Sequence, residues 1–122
     1  MSRDLYDRAV AISERAYAPY SKYLVGAAVR TRDGKIFEGV NVENAAYPLG
    51  VCAEKSALVK AVSEGYGPGD IEAIGITASP CGGCRQWLYE FKIPEVTFLR
   101  EGHGLVTYSA SDLLPDTWDL PA

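Results

Sequence analysis

All three cysteines of the chain fall in two short stretches, "GVCAEKSALVKAV" and "SPCGGCRQWL", and each stretch opens a run with helical apolar spacing. In the first, Leu58, Ala61 and Val62 recur at that spacing from Ala53 until Glu64-Gly65 stops them. In the second, Cys84, Trp87, Leu88 and Phe91 share one face. Cys52 and the pair Cys81 and Cys84 are therefore expected at two helix N-termini. Such an end carries roughly half a positive charge and favours a thiolate placed there, and thiolate is the form of cysteine that binds metal. A fold that converges these two ends on one cation is the strongest constraint the sequence imposes.

The remaining segments predict the frame around those helices. Leu5, Ala9, Ile12 and Ala16 form the apolar stripe of an N-terminal amphipathic helix that "APYS" should end. "LVGAAVRTRDGKIFEGVNV" holds two strand-like halves about Asp33-Gly34, a hairpin signal. "ENAAYPLGV" is an irregular connection, and "IEAIGITA" suits a buried strand. "EVTFLR" and "LVTYS" form one or two more strands, and "SDLLPDTWDLPA" a short helical turn with an extended tail. Strands alternating with helices after an initial hairpin predict an α/β fold, a three-layer α/β/α arrangement around a mixed sheet of about five strands. At 122 residues, a single domain spanning 1–122 is expected.

Composition excludes several functions. Apolar residues at 48% and charged ones at 23% place the chain among folding sequences rather than disordered ones. The net charge is −4 and Lys and Arg are dispersed singly, so no basic stripe exists for a nucleic acid. No segment reads as an export signal or a membrane span, so a cytoplasmic protein with neither membrane nor nucleic-acid partner is expected, acting on a small molecule. An odd cysteine count in a reducing compartment argues against a disulfide framework and for metal binding or catalysis.

Three protein ligands leave one tetrahedral zinc position open, the usual arrangement of a catalytic site, whereas structural sites close with four. Glu54, two residues beyond Cys52, adds a proton carrier. A pair in P-C-x-x-C, a third ligand that can be cysteine, and a glutamate that is not a ligand are the parts of a zinc deaminase. The sole histidine, His103, stands between glycines in "EGHG" and reads as a solvated turn. The competing reading is a structural zinc or redox module binding a protein partner, with Glu54 favouring a helix start.

The stretches "NVENAAYPLGVCAEKSALVKAVSEG" and "SPCGGCRQWLYEF" closely resemble the small homotetrameric zinc-dependent cytidine deaminases, and the likeness runs from about Tyr20 to "LLPDTW". The resemblance implies hydrolytic deamination of cytidine and deoxycytidine to uridine and deoxyuridine, with a nucleoside antibiotic or modified nucleoside as the alternative substrate. It makes Cys52, Cys81 and Cys84 the Zn2+ ligands and Glu54 the proton shuttle. Asn41 and Glu43 would hydrogen-bond the ribose hydroxyl, and the backbone of Ala53 the pyrimidine carbonyl. Ala45 and Tyr47 would reach a neighbouring subunit's site in a homotetramer with shared active sites. Tyr23 would pack on the nucleoside and Trp118 cover it from the tail. Tyr23-Leu24 stands for the commoner Phe-Pro, Trp118 for a usual Phe, and Lys55 for a usual arginine. The last change replaces a planar fork with a point charge beside three thiolates.

Overall fold

The computed structural model describes residues 1–119. Their frame is one five-stranded sheet in the order β2-β1-β3-β4-β5. The strands are β1 (Gly26–Thr31), β2 (Ile36–Val40), β3 (Ile71–Ile76), β4 (Glu95–Arg100) and β5 (Gly104–Tyr108). Only β3 and β4 pair in parallel, as the crossover through a helix between them requires; the other neighbours are antiparallel, so the sheet is mixed as the sequence predicts. The β1–β2 hairpin turns at Asp33-Gly34, where Gly34 takes φ +94°, a conformation that a residue with a Cβ resists.

Period-two alternation gives the sheet two buried faces. Ala28 and Ala73 face α1 (Arg3–Ser13), which packs Leu5 against them and also buries Ala9. Ala27, Val29, Ile74, Ile76, Val96 and Phe98 face the other way, into a core shared with α2 (Ala53–Ser63), α3 (Gly82–Glu90) and α4 (Ala110–Leu113). Leu58 and Leu88 are fully buried there, each contributing roughly 1.5–3 kcal/mol. The result is the expected three layers, with one helix on one side and three on the other.

Two glycines set how closely the helices approach. A Cβ on Gly75 would lie 2.4 Å from the backbone nitrogen of Tyr6 in α1, and one on Gly39 would lie 2.4 Å from that of Ala57 in α2. The α2 contact is reinforced by Ser56 Oγ donating to the Val40 carbonyl at 2.8 Å and Lys60 Nζ to the Glu38 carbonyl at 2.6 Å. The helix carrying Cys52 and Glu54 is thereby fixed to the sheet.

One boundary differs from expectation. The first helix ends at Ser13, so Ala16 lies outside it. The chain turns there because Tyr17 pairs with the 41–43 segment instead, its N–H donating to the Asn41 carbonyl and its own carbonyl accepting from Glu43 N–H. The expected strands at "EVTFLR" and "LVTYS" are two, joined by a turn holding exposed His103, whose Nδ1 lies 3.1 Å from the Glu101 carbonyl. Of the expected C-terminal tail, residues 120–122 lie outside the described ones. Among the described residues, no helix is long and apolar enough to cross a membrane.

Candidate active site

Cys52 is the N-cap residue of α2 and Cys81 that of α3, both with extended backbone, and Cys84 lies in the first turn of α3. The cap position resolves how two residues of C-x-E can serve one site: Cys52 stands outside the helical spiral and Glu54 inside it. The sulfur atoms of Cys52, Cys81 and Cys84 lie within 4.8 Å of one another, and none is in a disulfide. Two thiolates sharing a tetrahedral zinc at a Zn–S distance of about 2.3 Å are about 3.8 Å apart. The cluster fits that ion after small side-chain rotations, and among the described residues it is the one group of three or more possible ligands. Three soft donors at the lining of a cleft suit zinc of the catalytic type, which would keep a fourth position for water.

The thiols share their protons unequally. Cys52 is lowered to about 6, chiefly because Cys84 donates its S–H to it, while that donation and burial push Cys84 up. The Cys81 sulfur accepts from the Cys84 backbone N–H at 3.4 Å. Zinc uptake by this trio therefore releases protons. Glu54 is 4% exposed, and burial raises its carboxyl to about 7, with the Cys52 charge acting in the same direction.

These groups floor a cleft of about 730 Å³, a volume in the range of small-molecule sites. Its walls bring together nearly every residue singled out in the sequence: Tyr23, Asn41, Glu43, Ala45, Tyr47, Cys52, Ala53, Glu54, Cys81 and Cys84. Ala53 is the buried first residue of α2. Ala45 and Tyr47 line the open rim, where Tyr47 is 81% exposed at the start of a short 3-10 turn. Trp118 does not line this cleft; it is 70% exposed on the tail, which is held near α3 by Tyr89 Oη donating to Asp119 at 3.2 Å.

The polar pair of the wall is held by the 20–25 loop. Asn41 Oδ1 accepts from Val25 N–H at 2.8 Å and its Nδ2 donates to the Tyr23 carbonyl at 2.9 Å, which fixes the orientation of the amide. Glu43 accepts from the N–H groups of Tyr20 and Ser21 and from Ser21 Oγ, and these donors, Ser21 first, hold its carboxyl below the usual carboxylate range.

Sequence reasoning missed several contributors. Ser21 carried no signal beyond its place in "APYS". Arg85 did: it directly follows the second cysteine of the pair, and its guanidinium bridges the Pro80 carbonyl at 2.9 Å and the Leu113 carbonyl at 3.2 Å, fixing the turn that presents Cys81. Lys55, the substitution flagged beside the thiolates, places its ammonium 5.8 Å from the Trp87 ring centroid, within cation–π range. Its charge helps to lower Cys52 and partly opposes the rise of Glu54.

A sequence model described as the cytidine and deoxycytidylate deaminase zinc-binding region matches residues 1–100. The chain belongs to this family. It is 46% identical over 120 residues to a cytidine deaminase of Halalkalibacterium halodurans, covering 91% of this chain and 89% of that one. It is 43% identical over 116 residues to a probable cytidine deaminase of Dictyostelium discoideum, covering 89% and 78%. The crystal structure of cytidine deaminase from Burkholderia pseudomallei superposes with a TM-score of 0.89 at 44% identity, covering 97% of this chain and 99% of that one. The α/β fold and the three-cysteine zinc site read from the sequence are thus those of a deaminase family.

Proposed function

We propose that this chain is a zinc-dependent cytidine deaminase that hydrolyses cytidine and deoxycytidine to uridine and deoxyuridine with release of ammonia. The observation that carries the reading is the convergence of three sulfurs within 4.8 Å beside one nearly buried carboxyl, Glu54, at the floor of a nucleoside-sized cleft. Zinc, when held by Cys52, Cys81 and Cys84, supplies Lewis-acid activation of a water molecule.

The protein's own groups do the rest. Glu54 takes a proton from the attacking water and delivers it to pyrimidine N3 as oxygen bonds to C4. It then takes the proton of the new hydroxyl and passes it to the amino group, so that C4=O forms and ammonia leaves. A carboxyl near neutrality suits both directions of transfer. Asn41 keeps one amide hydrogen free and Glu43 a free lone pair, a donor and an acceptor for a sugar hydroxyl. Tyr23 offers an aromatic face to the nucleoside from the same wall.

On the same reading the protein is a cytoplasmic homotetramer with shared active sites. Tyr20, Tyr23 and Tyr47 leave large apolar groups exposed at the cleft, and Leu49 is exposed in the same turn as Tyr47, the kind of surface that burial against another copy stabilises. In such an assembly Tyr47 and Ala45 would serve a neighbour's cleft, and Trp118 would cover the bound nucleoside from the tail.

The test incubates zinc-loaded protein with cytidine and with deoxycytidine while uracil nucleoside and ammonia are followed, with Glu54→Gln alongside. The wild type should release one ammonia per uridine or deoxyuridine, and the variant should keep zinc and lose roughly 10²–10⁴-fold in turnover. No product from either nucleoside overturns the activity; near-normal turnover by Glu54→Gln removes Glu54 from the mechanism.

A further inference from the structure

Ser21 sits in the loop that leads into β1, and it meets the cleft wall through three hydrogen bonds. Its N–H donates to Glu43 Oε1 at 3.1 Å, beside the Tyr20 N–H at 3.0 Å on the same oxygen. Its Oγ accepts from the Tyr23 N–H at 3.0 Å and also meets Glu43 Oε2. Because the Tyr23 N–H can only donate, a Ser21 lone pair is committed there, and the hydroxyl hydrogen is left for the carboxylate. The side chain therefore has one arrangement, and it joins the acidic group of the wall to the backbone of the aromatic one.

We propose that Ser21 is a positioning residue that sets Glu43 for the sugar hydroxyl of the nucleoside; the inference rests on the function proposed above and deepens it. Without Ser21 Oγ, one carboxylate oxygen loses its only donor among the described residues and the Glu43 side chain gains rotational freedom at the point where it must accept from substrate. The neighbouring loop is otherwise well determined: Lys22 holds φ +63° with its N–H on the Ala18 carbonyl at 3.0 Å, and Asn41 fastens Tyr23 and Val25. Loss of the hydroxyl should thus act on Glu43 rather than on the path of the chain. Glu54 and the cysteines do not touch Ser21 by hydrogen bond, so the chemical step should be spared.

The experiment compares wild type, Ser21→Ala, Ser21→Thr and Ser21→Cys on cytidine, deoxycytidine and 2′,3′-dideoxycytidine, with zinc content checked for each. Ser21→Ala should raise KM for the first two about 10-fold with kcat within about twofold, the size expected for one hydrogen bond to a charged group. Ser21→Thr should restore most of the loss, and Ser21→Cys, a weak donor, should fall between. On dideoxycytidine the difference between wild type and Ser21→Ala should nearly vanish, and adding Ser21→Ala to Glu43→Ala should cost almost nothing more. Equal losses on all three nucleosides, a fall in kcat at constant KM, no effect on any substrate, or full additivity with Glu43→Ala overturns the role. A wild type inactive on both cytidine and deoxycytidine overturns the underlying function instead.

Discussion

The cleft holds two glutamates whose surroundings drive them in opposite directions, and the split decides which can move a proton. Glu54 is enclosed by α2 and the cysteine trio, so its charged form loses water without gaining a full set of donors, and its carboxyl rises to about 7. Glu43 is half-buried in the cleft wall with three donors on its two oxygens, and it falls below its ordinary value of 4.5. Pairs of carboxyls separated in this way mark distinct roles: one exchanges protons near neutrality while the other stays an acceptor. The sign for Glu43 follows from linkage. With a lower pKa folded than unfolded, its grip on the 20–21 loop is present above 4.5 and is lost as pH falls through the depressed value. A carboxyl carbon NMR titration should therefore place the Glu43 midpoint below 4.5 in the wild type and move it upward in Ser21→Ala; a wild-type midpoint at or above 4.5 refutes the arrangement.

Among the elements, α2 and α1 rest on the sheet at glycines, but of the two only α2 lines the cleft. Placing a Cβ at Gly39 forces Ala57 and the carbonyl of Ala53 away, both backbone atoms, and moves the helix whose first turn holds Glu54. Placing one at Gly75 displaces the backbone at Leu5 and Tyr6 in α1, on the opposite face. Each substitution to Ala should cost about 1–3 kcal/mol of stability in thermal or denaturant unfolding. Gly39→Ala should also lower kcat and zinc affinity, whereas the folded fraction of Gly75→Ala should keep both; equal effects on activity would refute the division. The elements themselves were legible because their signals are local: Asp33-Gly34 for the hairpin, the apolar run of β3, and the stop at Gly65, where φ is +99°. The zinc cluster was legible because its donors are distinctive residue types at two helix starts. The end of α1 was not, since Ala16 continues the helical period and only long-range pairing of Tyr17 with Asn41 and Glu43 overrides it. Ser21 was equally hidden: a serine in a turn has many uses, and its use here depends on a carboxylate 22 positions away.

At the scale of the whole molecule, the open question of chemistry is which chain completes each cleft. Tyr47 lines the rim of its own cleft yet is 81% exposed, and Leu49 beside it is 68% exposed, so the 3-10 turn holds its largest apolar groups outward. Association that buries this turn removes apolar surface from water and closes the mouth in one step, and symmetry repeats the gain at every copy. If Tyr47 then serves a neighbour's cleft, a site needs Glu54 from one chain and Tyr47 from another. Two variants expected to be inactive make this testable: Glu54→Gln, which lacks the proposed shuttle, and zinc-bearing Tyr47→Ala, which lacks the rim aromatic. Dissociated and reassembled together, some of their mixed assemblies contain a cleft with both residues intact, and activity should return to a fraction of wild type set by the mixing ratio. Each parent carried through the same treatment alone should stay inactive. Native mass spectrometry establishes that subunits have exchanged. No recovery in verified mixed assemblies, or full activity in a stable monomer, would place Tyr47 in its own chain's cleft and remove the shared site.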